Sequence, residues 1–395
     1  MSTLEKEQII SDEKKYVIGT YGRVPVVLVK GNGMSVFDTD GKEYLDFLAG
    51  IGVNNVGHCH PKVVEAIKNQ AETLIHVSNI YYNVPQIELA KKLVNLSGLD
   101  KAFFCNSGAE ANEAAIKLAR KYAKANGKEG EIITMEHAFH GRTLTTITAT
   151  PKAKYQEGFE PLPTGFKYIP FNDIDALKAG ISEKTSAIMI EPVQGEGGIH
   201  PADKEYLKAV RKLCDENNIV LIFDEVQCGM GRTGTVFSYE QYGVIPDIVT
   251  LAKGLGGGFP IGAMVAKSEI ASAFTPGSHG TTFGGNPLAC ASSAAALDVI
   301  STLLDNAVEM GKYFKNSLKT LEEKYEFVKE VRSLGLMVGV ELTFNGSEIV
   351  SKMFEKGFLI NCTSDTVLRF LPPLIVEKEH IDAMISALDE VFSEI

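Results

Sequence analysis

Lys253 stands in Asp247-Ile-Val-Thr-Leu-Ala-Lys253-Gly254-Leu255-Gly256-Gly257-Gly258, just past the end of an apolar run. A second such run, Ile219-Val-Leu-Ile-Phe223, ends in Asp224-Glu225. A lysine and a carboxylate, each at the tip of a buried strand, suggest a lysine used as an amine. A carbonyl cofactor held as an imine is the obvious use. The competing reading is a surface lysine ahead of a flexible glycine loop.

Other segments carry compatible chemistry. Asn106-Ser107-Gly108-Ala109-Glu110-Ala111-Asn112 follows a strand and opens a helix. Small residues there let the backbone approach a ligand, and free N–H groups at a helix start favour an anion such as phosphate. An ordinary N-cap is the alternative. Asp224 could pair with a cationic ring nitrogen or bind a metal. No G-x-x-x-x-G-K-[ST] precedes it, so a nucleotide P-loop is not indicated. In Glu136-His137-Ala-Phe139-His140-Gly141-Arg142-Thr143, Phe139 could stack on a planar group and Arg142 could grip a carboxylate. His137 and His140, like His58 and His60, have metal-ligand types without a full ligand set, so no metal is expected. Glu196 lies in the loop Glu191-Pro-Val-Gln-Gly-Glu196-Gly-Gly198, past another strand, where open α/β sheets place ligands. Thr281 and Thr282 offer hydroxyls in Gly280-Thr-Thr-Phe-Gly-Gly-Asn-Pro287. Arg369, in the apolar stretch Val367–Phe370, needs an anionic partner.

These residues need a scaffold, and the chain predicts one. Its 395 residues exceed what one core usually spans. Hydrophobic content of 45% and charged content of 23% fit a soluble globular enzyme. A net charge of −11 argues against duplex nucleic acid and anionic membrane as partners. No apolar run is long enough to span a bilayer, and the first residues have no apolar signal core. Six scattered cysteines without C-x-x-C spacing read as reduced thiols, hence a cytoplasmic location. Residues 1–60 read as a polar helical arm followed by a small meander over Val26–Val29 and Ser35–Phe37. From Pro61, helices alternate with short, continuously apolar segments at Ala102–Cys105, Ile132–Thr134, Ala187–Ile190, Ile219–Phe223, Ile248–Leu251 and Gly262–Ala266. That order predicts an α/β domain over 61–295, with a mostly parallel sheet covered on both faces. Residues 296–395 mix helices and short strands, including Phe358–Asn361, and predict a smaller α+β domain on which the N-terminal meander packs.

Taken together, Asn106-Ser-Gly-Ala-Glu-Ala-Asn112, Phe139-His-Gly-Arg142, Glu191-Pro-Val-Gln-Gly-Glu-Gly197, Asp224-Glu-Val-Gln227, Lys253-Gly and Thr282-Phe-Gly-Gly-Asn286 resemble the class III (ornithine-type) aminotransferases of pyridoxal-phosphate fold type I. The resemblance runs from about Tyr21 to Pro373. It implies a seven-stranded central sheet and pyridoxal 5'-phosphate as cofactor. It makes Lys253 the covalent anchor and proton carrier, and Asp224 the partner of the pyridine nitrogen. Ser107, Gly108 and Ala109 are then expected to cradle the phosphate, Phe139 and Val226 to cover the ring, and Gln227 to touch its hydroxyl, with Glu225 among the cofactor-binding residues. Thr282 is expected to reach the cofactor of a neighbouring subunit, which implies a homodimer. Gly50-Ile51-Gly-Val-Asn-Asn55, Gly57-His-Cys-His-Pro61 and Gly280-Thr-Thr-Phe resemble most the members that act on acetylornithine in arginine biosynthesis. Tyr21, Arg142 and Thr281 would contact that substrate. Arg369 would bind the α-carboxylate of glutamate, and Glu196 would mask it in the other half-reaction. Ile51 stands where ornithine aminotransferases have a tyrosine. The alternatives are another ω-aminotransferase, acting on ornithine, succinylornithine, 4-aminobutyrate or a carrier-linked lysine precursor, and a non-catalytic regulatory protein that binds the same cofactor.

Overall fold

The computed structural model describes residues 3–395; Met1 and Ser2 lie outside it. A helix over Thr3–Tyr16 opens the chain. A meander follows, formed by β1 (Leu28–Asn32), β2 (Ser35–Asp38) and β3 (Glu43–Asp46). The expected first strand starts two residues later and runs further, because Pro25 interrupts pairing at its beginning.

The centre is a seven-stranded sheet. Its strands are β4 (Lys101–Cys105), β5 (Glu131–Met135), β6 (Phe166–Ile169), β7 (Thr185–Ile190), β10 (Val220–Asp224), β11 (Ile248–Leu251) and β12 (Gly262–Ala266). The two-residue strands β8 (Val193–Gln194) and β9 (His200–Pro201) form a separate ladder between β7 and β10. The spatial order is β4-β12-β11-β10-β7-β5-β6. Only β12 runs against its neighbours β11 and β4, so the other six strands point the same way. Successive residues of the apolar runs enter opposite cores. Ala187, Met189, Val220 and Ile222 pack with Ile116 and Leu118 of the helix Gly108–Ala125. Ile188, Ile190, Leu221 and Phe223 pack with Leu207, Val210 and Cys214 of the helix Lys204–Asn217. A continuous apolar sequence is therefore required, because both faces are covered. Each fully buried large aliphatic side chain contributes about 1.5–3 kcal/mol. The strand not read from sequence is β6, an edge strand of sequence Phe-Lys-Tyr-Ile whose Tyr168 is exposed.

The C-terminal region builds its own sheet from β13 (Val328–Leu334), β14 (Met337–Leu342), β16 (Asn361–Thr363) and β17 (Val367–Phe370), ordered β13-β14-β17-β16. The segment expected as one strand over Phe358–Asn361 divides at Ile360. Its first part, β15 (Phe358–Leu359), pairs in parallel with β3, while β16 pairs with β17. The N-terminal meander and the C-terminal region thus share a sheet. The helices Leu304–Lys324 and Lys378–Phe392 cover this region through Phe314, Leu318, Leu388 and Phe392. No single helix among the described residues is long and apolar enough to cross a membrane. One bent pair, Pro287–Ser301 with Leu304–Lys324, passes that test by composition, and its apolar residues lie in the core.

Candidate active site

The carboxyl ends of the parallel strands open onto a cavity of about 440 Å³. β4 delivers Ser107, Gly108 and Ala109; β5 delivers Phe139, His140 and Arg142; β7 delivers Glu191 and Glu196; β10 delivers Asp224, Val226 and Gln227; and β11 delivers Lys253. One topological fact, six strands pointing the same way, gathers residues scattered from Ser107 to Lys253.

Lys253 follows β11 and opens a short 3₁₀ turn, Lys253–Gly256, with φ of +47°. A non-glycine residue is uncommon there, and such backbone is held only where the surroundings over-determine it. Burial pulls the Lys253 pKa below the ordinary lysine value, with Arg369 adding to the shift and the Glu196, Asp224 and Glu191 carboxylates opposing it. Among the described residues no hydrogen bond or ion pair engages its Nζ. An uncommitted, partly desolvated amine is the form that condenses with a carbonyl and moves protons.

Asp224 is held from three sides. Its Oδ2 accepts from Asn112 Nδ2 at 2.7 Å and from His140 Nδ1 at 2.8 Å. Its Oδ1 accepts from the Val226 N–H at 3.0 Å. Asn112 is itself fixed, because its Nδ2 also donates to the His140 carbonyl at 2.7 Å and its Oδ1 accepts from Thr250 Oγ1 at 2.6 Å. All four side chains are buried, so the network sits where an unmet polar group is costly. Sequence reading did not assign Asn112 or Thr250 to the site. The available signal was a polar residue on the apolar helix face formed by Ala111, Ala114 and Ala115. His140, which had been weighed as a metal ligand with His137, faces Asp224 instead. His137 is exposed with φ of +64°, so the two point into different environments.

Ser107 caps the helix Gly108–Ala125 by accepting from the Glu110 N–H at 3.2 Å, which leaves its hydroxyl proton available to an anion. A Cβ on Gly108 would stand 2.6 Å from Val226 Cγ1, so this cradle has room for ligand only because the residue is glycine. A Cβ on Gly141, whose φ is +137°, would stand 2.7 Å from Thr146 Oγ1 and 2.9 Å from Ala109 Cβ.

At the other side of the cavity Arg369 is almost fully buried and pairs through Nη1 with Glu196 Oε1. Gln227 bridges them, donating to Glu196 Oε1 at 3.2 Å while its own Oε1 accepts from Arg369 at 3.2 Å. Burial alone would raise the Glu196 pKa, but Arg369 outweighs it, helped by Lys253 and Gln227, and holds the carboxyl below the usual range. The Glu196 carbonyl is pinned by Thr363 Oγ1 at 2.8 Å, Ser364 Oγ at 3.2 Å and Lys152 Nζ at 3.3 Å. With the backbone so fixed, uncovering Arg369 would require movement of the Glu196 side chain alone.

Glu191, whose role sequence reading left open, ties two loops together. Its carboxylate accepts from the Phe139 N–H at 2.9 Å and the Gly195 N–H at 3.2 Å. Burial pushes its pKa up to about 7, with Asp224 adding to the rise and His140 and the two N–H donors opposing it.

Five expected residues lie outside the cavity lining: Arg369, which meets it through Glu196, and Thr281, Thr282, Glu225 and Tyr21. Glu225 does not line the cavity: alternation past β10 turns it to the opposite side, where Ser238 N and Tyr239 N donate to it at 2.6 and 2.7 Å. There its carboxylate anchors the Ser238–Tyr239 loop. Tyr21 is 73% exposed, with the Arg23 guanidinium over its ring. Thr282 is exposed and outside the cavity lining, whereas Thr281 Oγ1 accepts from Asn106 Nδ2 at 3.0 Å beside the Ser107 cradle.

The residues present fit a phosphorylated pyridine aldehyde. There is an amine for the aldehyde, a fixed carboxylate for the ring nitrogen, flat side chains for the ring, and a helix start for the phosphate. Comparison with known proteins gives the same answer. The family model Aminotransferase class-III matches residues 17–392. An acetylornithine aminotransferase from Methanocaldococcus jannaschii is 73% identical, over 99% of this chain and 100% of that protein. One from Caldanaerobacter subterraneus subsp. tengcongensis is 58% identical, over 98% and 100%. Among solved structures, the ornithine aminotransferase from Toxoplasma gondii superposes with a TM-score of 0.96 at 35% identity, covering 100% of this chain and 97% of that one. A match spanning nearly every residue, and a cavity whose donors suit the same cofactor, place this chain in the class-III aminotransferase family, whose cofactor is pyridoxal 5'-phosphate.

Proposed function

We propose that this enzyme transfers the terminal amino group of N2-acetyl-L-ornithine to 2-oxoglutarate, giving N-acetyl-L-glutamate 5-semialdehyde and L-glutamate. The observation that carries the proposal is the Glu196–Arg369 pair beside Lys253, in a cavity that also holds Arg142. A pocket that serves both substrates must accept an α-amine next to a carboxylate in one half-reaction and a terminal amine next to methylenes in the other. A bare buried cation suits the first and harms the second. A guanidinium covered by a carboxylate that can move away serves both.

The bound cofactor supplies a ring that withdraws electrons from the carbon bearing the substrate nitrogen. Lys253 removes the proton from that carbon and holds it for redelivery, which its lowered pKa favours. Asp224, held by Asn112 and His140, would pair with the ring nitrogen of the bound cofactor. Arg142 and Arg369 orient the carboxylates, with Tyr21 and Thr281 proposed to contribute to the first.

The same reading makes the enzyme a homodimer in which Thr282 reaches the neighbouring site. An exposed apolar band supports it, in which Ile80, Tyr81, Tyr82 and Phe283 are 81%, 68%, 98% and 62% accessible. A cytoplasmic location belongs to the same proposal, supported by six unpaired cysteines.

The test is a spectral titration of the cofactor-loaded protein with acetylornithine, ornithine, succinylornithine, 4-aminobutyrate and glutamate. Acetylornithine and glutamate should each convert the cofactor absorbance, with the highest kcat/KM among the terminal amines for acetylornithine. A higher value for another amine would reassign the substrate, and Lys253→Ala should remove conversion altogether.

A further inference from the structure

Arg142 is held in an unusual way. No hydrogen bond or ion pair engages its guanidinium among the described residues. Its guanidinium carbon lies 3.5 Å from the centroid of the Tyr155 ring and 5.7 Å from that of Phe139. The two rings meet edge to face at 6.0 Å and 87°. A guanidinium held this close over an aromatic face is fixed in position by the ring, while its N–H groups stay free for a carboxylate.

Tyr155 is a rigid platform because its segment is tied down on both sides. It lies in the short helix Ala153–Gln156, and its N–H donates to the Lys152 carbonyl at 2.9 Å. Gln156 Nε2 donates to the carbonyls of Ile147 and Thr150, both at 3.0 Å. Those carbonyls belong to the helix Leu144–Ala149 and its C-cap, and the N-cap of that helix, Thr143, directly follows Arg142. Ring and guanidinium are thus mounted on one unit. Lys152, three residues before Tyr155, reaches the Glu196 carbonyl. The segment therefore touches the supports of both substrate-facing arginines.

We propose that Tyr155 is the positioning residue that gives this site its preference for amines carrying a distal carboxylate. Its ring fixes the Arg142 guanidinium so that two N–H groups present one bidentate receptor, and the stacked face, not the phenol hydroxyl, does this. The inference rests on the acetylornithine reading and deepens it by naming what selects the carboxylate.

The experiment compares the amine-transfer half-reaction of the cofactor-loaded enzyme on N2-acetylornithine and on its methyl ester, which lacks the carboxylate charge. The unsubstituted enzyme should prefer the free acid. Tyr155→Leu should lower that preference about ten-fold through KM for the acid, and Tyr155→Phe should retain it. Arg142→Lys should resemble Tyr155→Leu, and combining the two should add little, because both remove the same oriented plane. Equal loss on acid and ester, an unchanged preference in Tyr155→Leu, or a Tyr155→Phe enzyme that behaves like Tyr155→Leu would each overturn the inference. An unsubstituted enzyme that converts neither compound while still reacting with glutamate would overturn the substrate reading beneath it.

Discussion

Glu196 and Arg369 pair across two small sheets: Glu196 lies in the turn between β8 and β9, and Arg369 lies on β17 of the C-terminal sheet. Gln227, after β10, bonds to both. The C-terminal sheet therefore enters the site through one buried cation, and the β8–β9 turn covers that cation with one carboxylate. Glu196→Ala should leave Arg369 uncovered at all times. We expect the preference for acetylornithine over glutamate to fall about ten-fold, as the ratio of kcat/KM for the two half-reactions. Leaving a buried charge unpaired costs about 3–5 kcal/mol, but the Glu196 side chain is 22% exposed, so the loss should sit near the lower end. Chemical denaturation would read it, and an unaltered ratio of half-reactions would remove the masking role.

Asn112 makes a different prediction, because it supports a charge without being one. Asn112→Ala removes the donor to Asp224 Oδ2 and leaves Thr250 Oγ1 without its acceptor. One buried group left unsatisfied costs about 1–3 kcal/mol. Turnover should fall roughly 10–100-fold, because losing a group that orients a functional side chain typically costs that much. Cofactor affinity should fall with it. Thr250→Val, which leaves the Asn112–Asp224 bond intact, should do less to turnover. Equal effects of the two would mean that the network is structural only.

Lys253 gives a pH dependence whose sign is fixed by its neighbours. Burial lowers its pKa, so in the cofactor-free protein its amine becomes neutral at lower pH than an exposed lysine. The Glu196 carboxylate opposes that shift and Arg369 assists it. Glu196→Gln removes the largest opposing charge, leaving Asp224 and Glu191 to oppose the shift and Arg369 to assist it, so the midpoint should move lower still. The rate of Lys253 modification by a small acylating reagent, followed against pH by peptide mass spectrometry, would show both steps. A midpoint that rises in Glu196→Gln would contradict the electrostatic account.

The sequence disclosed the sheet and most of the chemistry for one reason. Strands covered on both faces must be apolar throughout, and the functional residue follows at the end of each, so Lys253, Asp224 and Glu196 could be read directly. β6 escaped because an edge strand needs no such run, with Lys167 and Tyr168 interrupting it. The break of Phe358–Asn361 at Ile360 escaped because partner choice between two sheets is a tertiary matter. The supports of the site were the least legible part. Asn112, Thr250 and Glu191 act through contacts between residues as much as 138 positions apart, and no local pattern records such contacts. That the Glu225 side chain turns away from the cavity was illegible for a related reason, since adjacency to Asp224 says nothing about which way a side chain points once the strand has ended.

Gly108 offers a prediction in which space alone is at stake. Its backbone lies so close to Val226 that an added Cβ would stand 2.6 Å from Cγ1 and 2.9 Å from Cγ2. Valine cannot fold away, because branching at Cβ restricts it to few rotamers. In Gly108→Ala, either the helix start retreats or Val226 is driven toward the cavity, and overpacking of this kind costs about 1–3 kcal/mol. Both outcomes disturb the Ser107–Ala109 cradle, so cofactor affinity measured by equilibrium dialysis should weaken about ten-fold. Val226→Ala removes both Cγ atoms. The double variant Gly108→Ala, Val226→Ala should then bind cofactor better than Gly108→Ala alone, a sign that only relief of a steric contact produces. Gly22→Ala, where a Cβ meets nothing within 4 Å, is the control for the general effect of replacing glycine. A double variant weaker than both single ones would place the requirement for glycine in backbone conformation instead.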